Sequence, residues 1–262
     1  MSNDLDGKTA VIYGGGGSIG GGLARTFARD GAHVVVVGRT RPALDLVADD
    51  VRGAGGTADV AVLDALDETA VDEHLAGVVA ARGGVDISIN LITRGDVQGI
   101  PLVDMKVDDL LQAPTNALRS NFLTARAAAR QMSAQGSGVI LHLNSGSGAA
   151  AMPGMGNTGP ADAAVEAFMR YLAAEVGPHG VRVCGIWTAG VAETLSDEKI
   201  ADVSGPDGIS AQGALEMISA MSVLRRTPRL ADVTETAAFL ASDRAAGITG
   251  TMVNVTAGLV LR

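Results

Sequence analysis

The sequence predicts an α/β fold: a Rossmann-like, doubly wound parallel sheet of about seven strands with helices on both faces. Two observations carry this expectation. Short β-branched runs alternate with Ala-rich stretches of helical length, and glycine clusters stand at the junctions between them. The strand-like runs are Thr9 to Tyr13, His33 to Val37, Ala58 to Leu63, Ile87 to Asn90, Gly138 to Leu143, Val181 to Trp187 and Thr251 to Val255. Between them lie helical stretches at 19–30, 42–53, 67–82, 107–135, 158–177 and 230–242, with a less regular one around 193–224. Such alternation builds a parallel sheet, because parallel strands need crossover connections and the crossovers cover both faces. Pro114, inside 107–135, is expected to mark either a kink or the true start of that helix.

A chain of 262 residues, 47% hydrophobic, suits one large core, so residues 1–262 are expected to form a single domain. The clusters Gly14 to Gly22, Gly53 to Gly56 and Ser145 to Gly148 each join a strand-like to a helix-like run and read as turns, not as hinges. The formal charge of −9 argues against a nucleic-acid partner, which wants a basic face, and any bound phosphate must be met by a local arginine. Cys184, the one cysteine, lies in an apolar run and reads as a packed thiol. Residues 1–8 are polar and no apolar run approaches the ~20 residues that span a bilayer, so no membrane is expected and the cytoplasm is the default location. Histidines and the cysteine are scattered without ligand spacing, so no metal is expected.

Motifs in such a sheet should follow strands, because ligands bind at the strands' carboxyl ends where strand order reverses. After the first strand comes Tyr13-Gly14-Gly15-Gly16-Gly17-Ser18-Ile19-Gly20, then an amphipathic helix. Glycines in a strand-to-helix turn let backbone N–H groups reach a pyrophosphate at the helix's positive end. After the second strand, Gly38-Arg39-Thr40-Arg41 occupies the place where an acidic residue would bond the ribose hydroxyls of NAD. An arginine there pairs instead with a 2′-phosphate, which points to NADP(H); of the two arginines, Arg41 is expected to face solvent more than Arg39.

These motifs resemble those of the short-chain dehydrogenase/reductase family. Gly14, Ile19 and Gly20 match its Thr-Gly-three residues-Gly-apolar-Gly turn, whereas Tyr13 and Ser18 depart from it. The resemblance implies that Gly14, Gly17, Ser18, Ile19 and Gly20 cradle the phosphates, with Arg39 and Thr40 at the 2′-phosphate. Asp64 and Ala65 resemble the family's adenine-contacting step, and Asn90 matches the first position of its Asn-Asn-Ala-Gly segment, here Asn90-Leu91-Ile92-Thr93. Gly190, Val191 and Thr194 fall on the loop that holds the nicotinamide carboxamide, with Ala189 in place of proline. Ile248 to Gly258 echoes the family's last strand, so the resemblance covers the whole chain.

At the reaction centre the resemblance implies a departure. Active members carry a Ser after strand five, a Tyr about thirteen residues on and a Lys one helical turn beyond it. The Tyr moves the proton while hydride moves, the Lys assists it and holds the nicotinamide ribose, and the Ser orients the carbonyl. Here Ser145 takes the serine position, and counting back from Ala163 to Phe168 puts Thr158 at the tyrosine and Asp162 at the lysine. Neither Tyr13 nor Tyr171 replaces the tyrosine, and Ala117 stands where some members have a relay asparagine, with Asn116 one residue out of register. Asp162 reads either as a group facing ribose or proton, or as a helix N-terminal aspartate favoured by the dipole. Thr158 reads as a hydrogen-bond donor or a helix cap. His142 shares a strand face with Asn144 and reads as a core histidine with its hydrogen bonds satisfied, while Met152 and Met155 are expected to line an apolar pocket.

Three functions follow. The first is an NADP(H)-dependent oxidoreductase acting on a carbonyl or activated alkene of a small molecule with an atypical acid. The second is a catalytically silent subunit or ligand-binding protein, pairing with a related active chain. The third is an isomerase using Asp162 as a base. The resemblance also implies a homo-oligomer, a tetramer built through helices 107–135 and 158–177.

Overall fold

In the computed structural model, which describes residues 3–205 and 208–261, the β-branched runs form one parallel sheet. Its strands are β1 (Thr9–Tyr13), β2 (His33–Gly38), β3 (Thr57–Val62), β4 (Ile87–Asn90), β5 (Gly138–Asn144), β6 (Val181–Thr188) and β7 (Thr251–Val255). They lie in the order β3-β2-β1-β4-β5-β6-β7, every pair parallel. Strand order reverses between β1 and β4, so the carboxyl ends of these two strands, Tyr13 paired with Asn90, mark the switch point at which such sheets bind ligands.

Side-chain alternation feeds two cores. Ala10 and Ile12 of β1 with Val34 and Val36 of β2 face α1 (Ser18–Arg29) and α2 (Arg41–Gly53), through Leu23, Phe27, Leu44 and Val47. Val11, Tyr13, Val35 and Val37 point the other way, toward α3 (Glu68–Arg82), α4 (Val107–Gln135) and α5 (Thr158–Val176), through Val71, Leu75, Met132, Val165 and Met169. Every second residue of a doubly covered strand is therefore apolar on each side, which is why these strands read as continuous apolar runs. The cores finish with α8 (Leu230–Ala241), whose Ala237 and Leu240 join the first cluster.

Three details differ from the sequence reading. The less regular stretch resolves into a 3-10 turn at Ala192–Thr194, α6 (Asp197–Ser204) and α7 (Ala211–Met221). The breaks follow from capping: Ser196 accepts from the N–H of Lys199, and Ser210 from that of Gly213. Pro114 is neither the start of α4 nor its end, for the helix begins at Val107 and passes through it. Proline cannot donate to the carbonyl of Leu110, but a side chain secures the neighbouring carbonyl: Asn157 Nδ2 donates to Asp109 O at 2.6 Å. Finally, β3 is displaced by one residue and β2, β5 and β6 each gain one, because parallel pairing continues through Thr57–His33, Gly38–Val62 and Asn144–Trp187 to Thr188–Val255.

Candidate active site

The turn after β1 is shaped by two close approaches. Gly14 has φ +81°, and a Cβ there would lie 2.7 Å from the carbonyl oxygen of Leu91; a Cβ at Gly20 would collide with the carbonyl of Gly14. The chain thus folds tightly enough to leave the N-terminus of α1 bare. Its N-cap, Gly17, offers no side-chain cap, and its first turn carries no acidic residue. Those N–H groups and the helix dipole suit an anion.

A cleft of about 300 Å³ opens beside this turn, lined by Gly14, Gly17, Arg39, Thr40, Asp64 and Ala65 together with Tyr13, Leu91 and Ile92. Ser18 is the first residue of α1, with Ile19 and the buried Gly20 behind it. Arg39 is 71% exposed and its Nη1 stands 4.0 Å from Asp64 Oδ2, a loose pair that leaves most of the guanidinium to solvent. Arg41 is slightly less exposed, at 64%, which reverses the expected ranking; its Nε is held by Asp45 one turn on. Asn90 does not line the cleft: its amide donates to Thr124 Oγ1 at 3.1 Å and its oxygen accepts from the N–H of Ile92, so it fixes the turn after β4. Gly190, with φ +53°, the buried Val191 and Thr194, whose hydroxyl donates to Val191 O at 2.9 Å, form the loop after β6; none of the three lines the cleft, but Lys199 joins the carbonyl of Thr194 to Ser18 at the start of α1.

The reaction centre is organised by a residue that sequence reasoning missed. Asp162 is wholly buried, and Arg94, from the loop after β4, donates to its Oδ1 at 2.6 Å. Its Oδ2 accepts from Ser145 Oγ at 2.6 Å and from Ser145 N at 3.1 Å. None of these donors is a helix N–H, and the helix begins at Thr158, so the capping reading of Asp162 is corrected: the carboxylate points across to β5 and β4. Arg94 also grips Asp96 through two bonds, at 2.8 and 3.2 Å. Burial opposes the charge on Arg94, but the attraction of Asp162 and Asp96 outweighs it and raises its pKa. Asn116 Nδ2 in turn holds the Arg94 carbonyl at 3.0 Å.

Thr158 is not a cap either; Asn157 is the N-cap, and Thr158 Oγ1 accepts from Gln98 Nε2 at 3.0 Å. Its hydroxyl hydrogen therefore remains free to donate. Asn157 Oδ1 accepts from Val97 N, so the loop after β4 is stitched to the start of α5 at three places: Arg94, Val97 and Gln98. The structure thus gathers Ser145, Thr158 and Asp162 at one place and adds Arg94, Asp96, Gln98 and Asn157. One signal for Arg94 was present, since an aspartate where the family has a lysine calls for a cation from elsewhere. No metal-holding group of histidine, cysteine and carboxylates occurs among the described residues.

This architecture can be set against known proteins. A family profile described as Enoyl-(Acyl carrier protein) reductase matches residues 15–260. An uncharacterized oxidoreductase of Mycobacterium tuberculosis is 31% identical over 257 residues, covering 97% of this chain and 93% of that protein. Oxidoreductase UcpA of Escherichia coli is 31% identical over 258 residues, covering 98% and 96%. Among solved structures, NAD+-bound xylitol dehydrogenase superposes with a TM-score of 0.87 at 25% identity, covering 97% of this chain and 99% of that one. The chain belongs to the short-chain dehydrogenase/reductase family, and oxidoreductase chemistry is what that family membership supports.

A second cleft, of about 330 Å³, lies behind the reaction centre between α5 and the end of the sheet, lined by His142, Glu166, Arg170, Trp187 and Met252 among others. Glu166 is buried and accepts from Trp187 Nε1 at 2.8 Å. His142 is buried as expected, but its hydrogen bonds are not satisfied: neither ring nitrogen has a partner among the described residues. Burial pushes its pKa down to about 4; the Cys184 backbone, near but outside hydrogen-bond geometry, offsets part of this, and the Arg170 charge adds to the lowering. Above the ordinary value of 6.5 the imidazole is neutral in folded and unfolded chains alike. Below it, the unfolded chain binds a proton that the folded one refuses, so stability falls as pH drops from 6.5 toward 4. His142→Leu is expected to flatten that limb by a few kcal/mol, read from urea midpoints between these pH values; an unchanged slope refutes the assignment.

Proposed function

We propose that the chain is an NADP(H)-dependent oxidoreductase, its whole length one dinucleotide-binding domain, acting on a carbonyl or activated alkene of a small molecule. The observation that carries the cofactor assignment is the exposed Arg39 guanidinium on the cleft wall, beside Thr40 and opposite Asp64. A planar donor fork suits a 2′-phosphate better than it suits ribose hydroxyls. The bare α1 N-terminus and the tight glycine turn fit the pyrophosphate. Xylitol dehydrogenase carries NAD+, so the choice of NADP(H) rests on Arg39 alone.

When bound, the cofactor supplies or accepts the hydride. The chain's residues then act on the substrate oxygen. Thr158, its oxygen held by Gln98, has a hydroxyl hydrogen to offer, while Ser145 is oriented by Asp162. Asp162, with Arg94 on one oxygen and Ser145 on the other, is an acceptor that positions Ser145 and not a proton donor. For the same reason we do not assign it the role of an isomerase base. Hydride added to a carbonyl leaves an alkoxide that must take its proton as it forms, whereas hydride added to a conjugated alkene leaves an enolate that can be protonated afterwards by water. A centre with hydroxyl donors and no strong acid suits the alkene better. One observation favours the silent reading: the loop after β4 packs against Thr158, with Val97 and Gln98 bonded to the start of α5.

A homotetramer built through α4 and α5 belongs to the same proposal; Leu111, Leu118 and Phe122 of α4 and Tyr171 of α5 are large apolar side chains at the surface. Light scattering at micromolar concentration is expected to read a tetramer, and a monomer refutes it. Titration followed by NADPH fluorescence is expected to show tighter binding of NADPH than of NADH, with the preference reversed by Arg39→Asp. Equal affinities, or no effect of the substitution, remove Arg39 from the phosphate site. NADPH oxidation over a panel of ketones and conjugated enones separates the two readings: turnover on the enones supports the first, and tight binding with no turnover on either class supports the second.

A further inference from the structure

Lys199, in α6, lies far along the chain from the glycine turn, yet its ammonium ends there. Nζ donates to Ser18 Oγ at 3.1 Å and to the carbonyl of Thr194 at 2.8 Å. No carboxylate of the described residues pairs with it. The placement is fixed from its own helix, since Ser196 caps α6 through the N–H of Lys199. Ser18 opens α1, whose N-terminus carries positive partial charge and has no acidic residue in its first turn. A lone cation at the positive end of a helix is repelled, and its two acceptors are neutral oxygens, weaker partners for an ammonium than a phosphate oxygen.

We propose that Lys199 is a pyrophosphate-binding residue, reaching from α6 to the phosphates at the start of α1 and working with Ser18. This rests on the dinucleotide reading of the cleft and adds to it a ligand from a different element. It also accounts for Ser18, which stands where the family has glycine: its hydroxyl meets the lysine and offers the phosphates one more donor. Because the pyrophosphate is common to NAD(H) and NADP(H), Lys199 acts on both, unlike Arg39.

The test is calorimetric titration of the full chain with NADPH, NADH, ADP and adenosine. Lys199→Met is expected to weaken NADPH, NADH and ADP each about tenfold while leaving adenosine unchanged, the scale of one charge-assisted bond at an open site. The difference should shrink as salt is added, and Lys199→Arg should restore most of the affinity. Wild-type affinity for NADPH and ADP in Lys199→Met overturns the proposal, and so does an equal loss for adenosine, which places the effect in the fold. A wild-type chain that binds neither dinucleotide refutes the cofactor reading itself, and the proposal with it.

Discussion

Asp162 is a wholly buried carboxylate, and the reaction centre is arranged around satisfying it. An ion taken out of water loses several kcal/mol of solvation, which only good geometry and further hydrogen bonds can offset. Arg94 and both donor groups of Ser145 do so, from the loop after β4 and from the end of β5, so that two elements converge on a carboxylate carried by α5. The ion pair therefore does more than neutralise a charge. It ties the loop after β4 to α5 and holds the side chain of Ser145, the serine proposed to face the substrate. Asp96 and Asn116 extend the tie by holding Arg94 from its own loop and from α4.

This arrangement has a chemical consequence. On the alignment proposed from the sequence, the family's pattern puts a cation on α5 where this chain has the Asp162 carboxylate, and Arg94 comes from the loop after β4 and pairs with Asp162 and Asp96. Introducing lysine at 162 would then set two cations against each other, so restoring the family's Tyr and Lys requires removing Arg94 as well. The cleft beside the glycine turn, by contrast, departs little from the pattern, and its exposed Arg39 is paired only loosely, with Asp64 at 4.0 Å. In the proposed reading, recognition thus lies at the ends of β1 to β3 and chemistry at β4, β5 and α5.

Much of this was legible in the sequence. Strands covered on both sides must be apolar throughout, so the β-branched runs announced themselves, and the glycine turn after β1 followed from backbone sterics that any such turn obeys. Asp64 and Ala65, singled out in the sequence, line the cleft. Asn90 does not line the cleft; its side chain is bonded to Thr124 and to the N–H of Ile92, a use that pattern cannot separate from ligand binding. The helix 107–135 was read with its observed bounds; what pattern did not show is how Pro114 is accommodated, because the compensating bond comes from Asn157, over forty residues away. Arg94 was hidden for a similar reason: it lies in a segment without periodicity, and only its pairing with Asp162 gives it meaning. His142 was placed correctly on its strand face, but whether a buried imidazole finds partners depends on packing against β6 and Met252, which spacing does not report.

A double-mutant cycle on Arg94→Met and Asp162→Asn, read as unfolding free energy, tests the organising role of the pair most directly. Each single change leaves a buried group without its partner and is expected to cost about 3–5 kcal/mol. The double variant should then be more stable than the sum of the singles implies, by roughly 1–3 kcal/mol. Strictly additive losses would contradict the account, because they would mean that Arg94 and Asp162 stabilise the chain independently and that the reaction centre is not built on their contact.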